Sequence, residues 1–295
     1  MSQEEAPLGA PDDAGDLRGY YFKQLLGSSL TLTLIAVAAI GVGVIGYAAV
    51  GPGIGALGFF GTLAITLIVI FIVAGSRSEG AFFDSYASQR RMTASGKRPL
   101  PPWTPLLRKG DDRYAERVLE GPLSDGVEGM LALYTYEEQS SDGQGDSETN
   151  HYRYTIGMTE VPQCADFVHE LICQRKFGLR ALEKVEDAFR AKQRVEFESE
   201  GLTEHYEIFV GKDQDQNWLR QLFSPTFIVW LTESAPKKFA FELVDGELCC
   251  YVSGHRKDAA DLDQMRAATA TIASRLREEA DEEQGPERLA PQYDG

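Results

Sequence analysis

Charged side chains are missing from Gln24 to Ser76, a gap of 53 residues in a 295-residue chain that otherwise carries 29 basic and 45 acidic side chains. A gap of that length indicates that one part of the protein lies in a membrane and the rest in water. No later apolar stretch approaches the roughly 20 residues that cross a bilayer, which excludes a multi-span transporter. The lack of a Gly-X-Y period and the presence of only four cysteines exclude a collagen and a disulfide scaffold.

Complete catalytic and metal-binding motifs are missing as well. The sequence has no C-x-x-C pair, no G-x-S-x-G nucleophile turn and no G-x-x-x-x-G-K-[ST] phosphate loop. Cysteines without such a pair are typical of a reducing cytoplasm, where no disulfide is needed. We therefore expect no catalytic residue, no metal and no cofactor.

Two short stretches come close to metal sites. His169–Cys173 differs from the zinc motif H-E-x-x-H by a Cys in place of the second His, and Asp213–Asn217 supplies the first three ligand positions of a calcium loop. The calcium pattern stops at Trp218, where that loop needs a residue that turns sharply. We interpret the first stretch as a packed His and Cys, and the second as acidic residues that begin a helix.

The uncharged segment predicts a pair of transmembrane helices within residues 29–75. Its two apolar runs, Ser29–Val50 and Ile54–Ala74, are each long enough to cross a bilayer. Gly51-Pro52-Gly53 separates them, and such residues favour a tight reversal of the chain. A cleaved signal peptide fits poorly, because it would have one shorter apolar core after a basic start.

Basic residues beside the spans predict the orientation. Seven of them lie between Arg77 and Lys109, against two acidic residues, whereas the Gly-Pro-Gly tip has no charge. Because cytoplasmic flanks are enriched in Lys and Arg, we expect both termini in the cytoplasm of a bacterial inner membrane. Four of these cations, Arg90, Arg91, Lys97 and Arg98, are also candidate contacts for anionic lipid or a partner. The alternative is that the basic stretch serves only as the topology signal.

Small residues recur along one face of each predicted span. Ala36, Ala39, Gly43 and Gly46 lie on the first span, and Gly55 and Gly58 on the second. Such stripes let two helices approach closely. We expect them to pack the hairpin, with self-association of two chains as the alternative.

The remaining sequence predicts three kinds of segment around a soluble domain. Residues 1–28 are expected to form an acidic tail, residues 76–109 a basic, proline-rich juxtamembrane linker, and residues 283–295 a disordered acidic tail. Residues 110–282 are expected to form a cytoplasmic α+β domain. From residue 110 onward the chain carries 20 basic and 38 acidic side chains, and this excess of acid disfavours nucleic-acid binding.

Alternating apolar residues predict antiparallel strands in the soluble domain. Met130–Tyr136 and Tyr152–Met158 are expected to pair as a hairpin around a polar loop at 139–150. Asp245-Gly246 lies between two further alternating runs and is a strong hairpin signal. With the helices described next, the fold class is a membrane-anchored α+β protein with an antiparallel sheet and helices on one face.

Helices are predicted on either side of the Asp245-Gly246 hairpin. Ser224-Pro225 divides the apolar stretch 215–233 into two short helices, because Pro suits the first turn of a helix and Ser its cap. The last helix is expected from about Asp258 to Glu279. The stretch between Trp218 and Leu231 holds more large apolar residues than one buried face requires. Trp230 and Phe227 are therefore candidate contacts for a partner or the membrane, unless the angle at the proline buries everything.

Several short blocks resemble a family of uncharacterised bacterial membrane proteins of unknown function. Those blocks, which follow a membrane hairpin and a basic linker, are Gly126, Gly129, Tyr134, Tyr136, Phe197-Glu198-Ser199, Tyr206–Val210, Asp213 and Leu222–Pro225. The resemblance covers roughly residues 20–280 and implies a similar two-helix hairpin with a cytoplasmic α+β domain. It implies no catalytic residue.

Three classes of function remain open from the sequence. The leading hypothesis is a non-enzymatic inner-membrane protein whose cytoplasmic domain acts as an adaptor or scaffold for a protein partner. A membrane-tethered sensor or regulator of a small ligand is the second, and an enzyme with an unrecognised site is the third.

Overall fold

The computed structural model describes residues 15–27, 29–141, 147–176 and 192–284. The chain divides into two compact units, one made of Met1–Gln89 with Lys257–Ala259 and the other of Arg90–Arg256 with Ala260–Gly295. The predicted tail at 1–14, the loop centre at 142–146 and the tail at 285–295 lie outside the described residues.

Three helices form most of the first unit: α1 (Asp16–Gly27), α2 (Ser29–Ala49) and α3 (Pro52–Gln89). The reversal between α2 and α3 falls at the predicted Gly-Pro-Gly, where Gly51 has a φ of 124° and Pro52 is the first residue of α3. Glycine adopts that positive φ without the steric penalty of a side chain. The prediction of two apolar helices with a reversal of the chain at 51–53 is therefore confirmed.

Glycines allow α2 and α3 to pack closely. A Cβ on Gly55 would lie 2.8 Å from the Gly43 carbonyl oxygen, and one on Gly46 would lie 3.2 Å from the Ile54 carbonyl oxygen. Gly58 meets Val42 in the same interface, and Ala39 is fully buried. Ala36 is exposed instead, so its predicted place in the hairpin packing is wrong. The contact faces of two helices follow their crossing geometry, which a stripe of small residues does not specify.

Two helices of this unit are long and apolar enough to cross a membrane, judged by length and composition. Leu32–Ala49 has a mean hydropathy of 2.2 and Pro52–Gln89 contains a window of 2.6, and few residues of either window are buried. Their large aliphatic and aromatic side chains, from Leu32 to Val73, are mostly exposed. An apolar surface of this extent is typical of a membrane or protein contact.

Helical structure extends beyond both predicted limits of the hairpin. Residues 16–27 form α1 rather than a tail, and within this unit the Arg18 guanidinium lies 4.8 Å from the centre of the Phe71 ring. At the other end α3 continues to Gln89, so residues 76–89 are helix and not linker. The change from apolar to charged sequence at Arg77 marks a change of solvent preference. It does not break a helix, because Gly80 is a single glycine within α3 and no proline follows until Pro99.

The second unit is built on a nine-stranded antiparallel sheet with the order β1-β2-β3-β4-β9-β8-β5-β7-β6. The strands are β1 (Thr93–Ser95), β2 (Asp112–Ser124), β3 (Val127–Ser141), β4 (Ser147–Glu160), β5 (Glu170–Arg175), β6 (Lys192–Val195), β7 (Tyr206–Gly211), β8 (Ala240–Val244) and β9 (Glu247–Ser253). The predicted β3–β4 pairing is confirmed, with Tyr134 opposite Tyr154. Asp245 and Gly246, at φ of 49° and 85°, form the predicted tight turn between β8 and β9.

Helices cover one face of the sheet, as predicted. They are α4 (Glu200–His205), α5 (Gln216–Leu222), α6 (Pro225–Val229), a π-helical turn (Trp230–Ser234) and α7 (Ala259–Gln284). Gly157 on β4 lets α7 approach, because a Cβ there would collide with the Thr269 hydroxyl. The Tyr206 hydroxyl donates to the Leu231 carbonyl at 3.1 Å, which fixes the π-helical turn over β7.

The opposite face is covered by the segment that the sequence predicts to be a spacer. Leu100, Leu106 and Leu107 are almost fully buried and pack on a cluster that includes Tyr134, Ile156 and Tyr251. The linker predicted at 76–109 is therefore not observed in its second part either, because residues 98–109 pack on the sheet of the second unit. Prolines do prevent a regular α-helix here, but an irregular segment with a short 3-10 turn at Leu106–Arg108 still packs its leucines on the sheet.

Candidate functional site: a groove between α6 and α7

An open groove of about 980 Å³ lies on the surface of the second unit. One side is formed by α6 and the π-helical turn, and the other by the chain leading into the β2–β3 turn, Pro122–Asp125. Side chains of α7 form the floor, and Arg90 and Arg91 stand at one end. We call this surface the α6–α7 groove.

A row of aromatic rings connects the groove to the sheet. Trp230 is half-buried, stacks on Phe227 at 5.8 Å between ring centres, and meets the edge of Phe239 at 6.1 Å. Phe227 in turn contacts Phe223 at 5.6 Å. Pro225 begins α6 as predicted, and Ser224 occupies the cap position without a side-chain capping bond. These ring contacts hold the half-buried Trp230 in a defined position at the groove.

Small side chains make the floor of the groove. Ala267, Ala270, Thr271 and Ser274 line it at helical spacing along α7. The groove extends along α7 from Arg266 to Glu278, which is about 18 Å at the rise of an α-helix. A floor of methyl and hydroxyl groups leaves room for a second backbone to approach α7 closely.

Positive charge gathers at the end of the groove near the start of α7. Arg90 donates two hydrogen bonds to the Asp263 carboxylate, one of them from Nε at 2.6 Å, and Arg266 lies 3.8 Å from the same carboxylate. Arg91 is exposed, and within the described ranges no ion pair or hydrogen bond holds its side chain. Its backbone φ of 59° is unfavourable for a residue with a side chain. Arg90 and Arg266 therefore share the Asp263 carboxylate, and Arg91 adds a third positive charge to this end.

Negative charge predominates at the other end. Arg277 donates to the Gly126 carbonyl at 2.9 Å, which holds the β2–β3 turn and its exposed Asp125 beside this part of α7. Glu278 is 65% exposed, whereas Arg275 is engaged by the Gln221 and Leu222 carbonyls and by Glu279. Burial raises the pKa of Glu279 above its ordinary value. The groove is thus electrically polar along its length, with an apolar middle.

Four of the six predicted contact residues meet in this groove. Trp230, Phe227, Arg90 and Arg91 all line it, although Arg91 and Trp230 are 139 positions apart in sequence. Lys97 and Arg98 do not line it: the Lys97 ammonium sits 3.3 Å from the centre of the Tyr114 ring, and Arg98 pairs with Glu120. The sequence analysis did not identify the α7 floor. The pattern that could have indicated it is the helical spacing of small residues at 267, 270, 271 and 274.

A second polar cluster lies on the sheet face opposite the helices. The fully buried Glu242 carboxylate accepts hydrogen bonds from the Leu106 amide at 2.8 Å and the Tyr251 hydroxyl at 3.3 Å. Burial raises the pKa of Glu242, and it lowers the pKa of the nearby Lys109 to about 8. The cluster has a clear structural task, since it ties the 98–109 segment to β8.

Neither of the near-miss metal motifs forms a metal site in the described part of the chain. His169–Cys173 runs into strand β5 rather than a helix, so the spacing of the zinc motif no longer brings its residues together. Asp215 is the N-cap of α5 and accepts from the Asn217 amide at 2.8 Å, as expected of an acid that begins a helix. No group of three or more His, Cys, Asp or Glu suited to a metal occurs among the described residues.

No family model matches this chain, and no curated protein matches it. Among solved structures it is similar to the crystal structure of the mycobacterial trehalose monomycolate transport factor A, TtfA, with a TM-score of 0.45 and 9% sequence identity. That similarity covers 68% of this chain and 96% of the other.

Proposed function

We propose that this chain is a non-enzymatic, membrane-anchored adaptor whose second unit binds a protein partner in the α6–α7 groove. The observation that carries the proposal is the open groove itself, in which half-buried Trp230 faces a floor of small side chains on α7. Tryptophan and arginine are the residue types that dominate binding energy at protein interfaces, and both line this groove. An open floor of this kind suits a polypeptide better than an enclosed small molecule.

Filling the groove tests this proposal without disturbing the core. Ala267 is exposed on the floor, so Ala267→Trp should block the groove while the protein keeps its stability. Gln264→Trp is the matched control, because Gln264 is exposed on the same helix but does not line the groove. After affinity purification from membranes and mass spectrometry, we expect Ala267→Trp to reduce recovery of the partner at least about tenfold. Equal recovery with both variants would reject the groove as the partner site.

The membrane part of the proposal is a multi-pass anchor in a bacterial inner membrane with both termini in the cytoplasm. The apolar, solvent-facing surfaces of α2 and α3 and the cluster of basic residues after Ser76 support it. Anionic lipid beside those basic residues would add to the anchoring. The small residues of the hairpin have an alternative use, which is the association of two chains.

Reporter fusions test the orientation. Alkaline phosphatase fused after Gly295 should be inactive and green fluorescent protein at the same site fluorescent, because both termini are expected in the cytoplasm. A phosphatase inserted at 51–53 should be active, because the tip is expected outside. Phosphatase activity at the C-terminus would contradict the proposed topology.

A further inference from the structure

We propose that the α6–α7 groove binds an amphipathic helix of the partner, that this helix lies antiparallel to α7, and that it is acidic at its C-terminal end and basic at its N-terminal end. This inference rests on the proposed function, and it adds the chemistry and the direction of the bound segment. It follows from the length, the floor and the charges of the groove.

The length and the floor favour a helix of about three turns. The groove follows α7 over about 18 Å, which corresponds to twelve residues of a bound helix. Ala267, Ala270 and Ser274 lie on that path, and small residues there allow two helix axes to come close. Large apolar side chains of the bound helix would then reach Phe227 and Trp230 on the wall.

The charges at the two ends set the direction. Among the described residues at the start of α7, three guanidinium groups (Arg90, Arg91 and Arg266) line the groove, and the Asp263 carboxylate contacts two of them, so this end attracts acidic groups. At the far end three carboxylates, Asp125, Glu278 and Glu279, accompany one groove-lining cation, Arg275, which lies 3.7 Å from the 65% exposed Glu278 and also contacts Glu279 and two backbone carbonyls. That end attracts basic groups. Arg90 and Arg91 come from the basic stretch 77–109, whereas Arg266 lies in the acidic part of the chain after residue 110.

Helix dipoles favour the same arrangement. The carboxyl end of a helix carries partial negative charge and its amino end partial positive charge. A bound helix that lies antiparallel to α7 places its carboxyl end beside the three arginines and its amino end beside Asp125 and Glu278. Side-chain charge and backbone dipole therefore act in the same direction.

Two synthetic helices test the direction on the full-length protein in nanodiscs of zwitterionic lipid. Both are 14-residue, lactam-stapled peptides with leucines at i, i+3, i+4 and i+7 and no net charge. One has two lysines at its amino end and two glutamates at its carboxyl end, and the other has these charges exchanged. The staples equalise helix content, because the first charge order opposes the peptide's own dipole. Fluorescence anisotropy, corrected with empty nanodiscs, measures binding.

We expect the peptide with the acidic carboxyl end to bind about tenfold more tightly than its exchanged counterpart, the size of effect that several exposed ion pairs give together. The double variant Arg91→Glu with Glu278→Arg should abolish this preference, because it leaves each end of the groove with equal numbers of positive and negative groups. Both residues are exposed and neither is part of the core. Ala267→Trp should abolish binding of both peptides, and Gln264→Trp should preserve it.

Three results would overturn the inference. Equal affinity for both peptides in the wild-type protein would reject the direction, and it would leave the proposed function intact if Ala267→Trp still loses the cellular partner. Loss of peptide binding in nanodiscs that contain anionic phosphatidylglycerol, reversed by Arg91→Glu, would assign the cationic end to lipid headgroups. A dimer of the full-length protein that Ala267→Trp dissociates would place a second copy of this chain in the groove.

Discussion

A fragment that begins at Arg90 and ends at Gln284 is expected to fold cooperatively, whereas a fragment that begins at Gly110 is expected to lose most of its stability. The difference is the 98–109 segment, which seals the sheet face opposite the helices. Its leucines at 100, 106 and 107 are almost fully buried. Burial of a leucine contributes about 1.5–3 kcal/mol, so three of them approach the whole free energy of unfolding of a typical domain, about 5–15 kcal/mol.

Urea titrations followed by circular dichroism, together with binding of a hydrophobic dye, measure this effect. A fragment that begins at Gly96 is the matched control, because it lacks β1 but keeps the covering segment from Arg98 to Lys109. It should unfold close to the midpoint of the longest fragment. If the fragment from Gly110 unfolds at the same midpoint and binds no dye, the 98–109 segment contributes little to the free energy of unfolding, and the prediction is wrong.

Replacing Glu242 by Ala is expected to destabilise the second unit by about 3 kcal/mol or more, because two buried donors lose their acceptor. Those donors are the Leu106 amide and the Tyr251 hydroxyl. Glu242→Gln keeps an acceptor oxygen in the same place and removes the titratable carboxyl, so near neutral pH it should cost less than about 1 kcal/mol. Glu120→Ala, which removes only a surface ion pair with Arg98, is the control for loss of a carboxylate.

The pH dependence of the same variants separates the charge from the hydrogen bonds. Because burial raises the pKa of Glu242 in the folded state, the folded protein binds this proton more tightly than the unfolded chain does. The associated stabilisation is fully present below the ordinary pKa of a glutamate, and it is lost as the pH rises through the folded pKa. Wild-type stability should therefore fall relative to Glu242→Gln as the pH increases from about 4 to 7. Parallel curves, or equal costs for Ala and Gln, would contradict the role assigned to this carboxyl.

Local patterns in the sequence determined the parts of this protein that depend on neighbouring residues. The charge gap and Gly51-Pro52-Gly53 determine two apolar helices with a tight reversal, because solvent preference and turn formation are properties of short stretches. Asp245-Gly246 determines a tight hairpin for the same reason. Trp230 was a contact candidate because its stretch holds more large apolar residues than one buried helix face requires. Arg91 was a candidate because it lies in the basic stretch beside the membrane spans.

Only the tertiary structure decided what lies against what. The contact between Leu106 and Glu242 joins residues 136 positions apart, and it turns an apparent spacer into the cover of a sheet. The α6–α7 groove likewise combines Arg90 and Arg91, the β2–β3 turn and one face of α7. None of these segments alone indicates a binding site. Ala36 shows the same limit within the hairpin, since its place in the small-residue stripe does not put it in the interface. Periodicity and propensity report which face of an element is apolar, whereas register, crossing angle and chain path select the partner of that face.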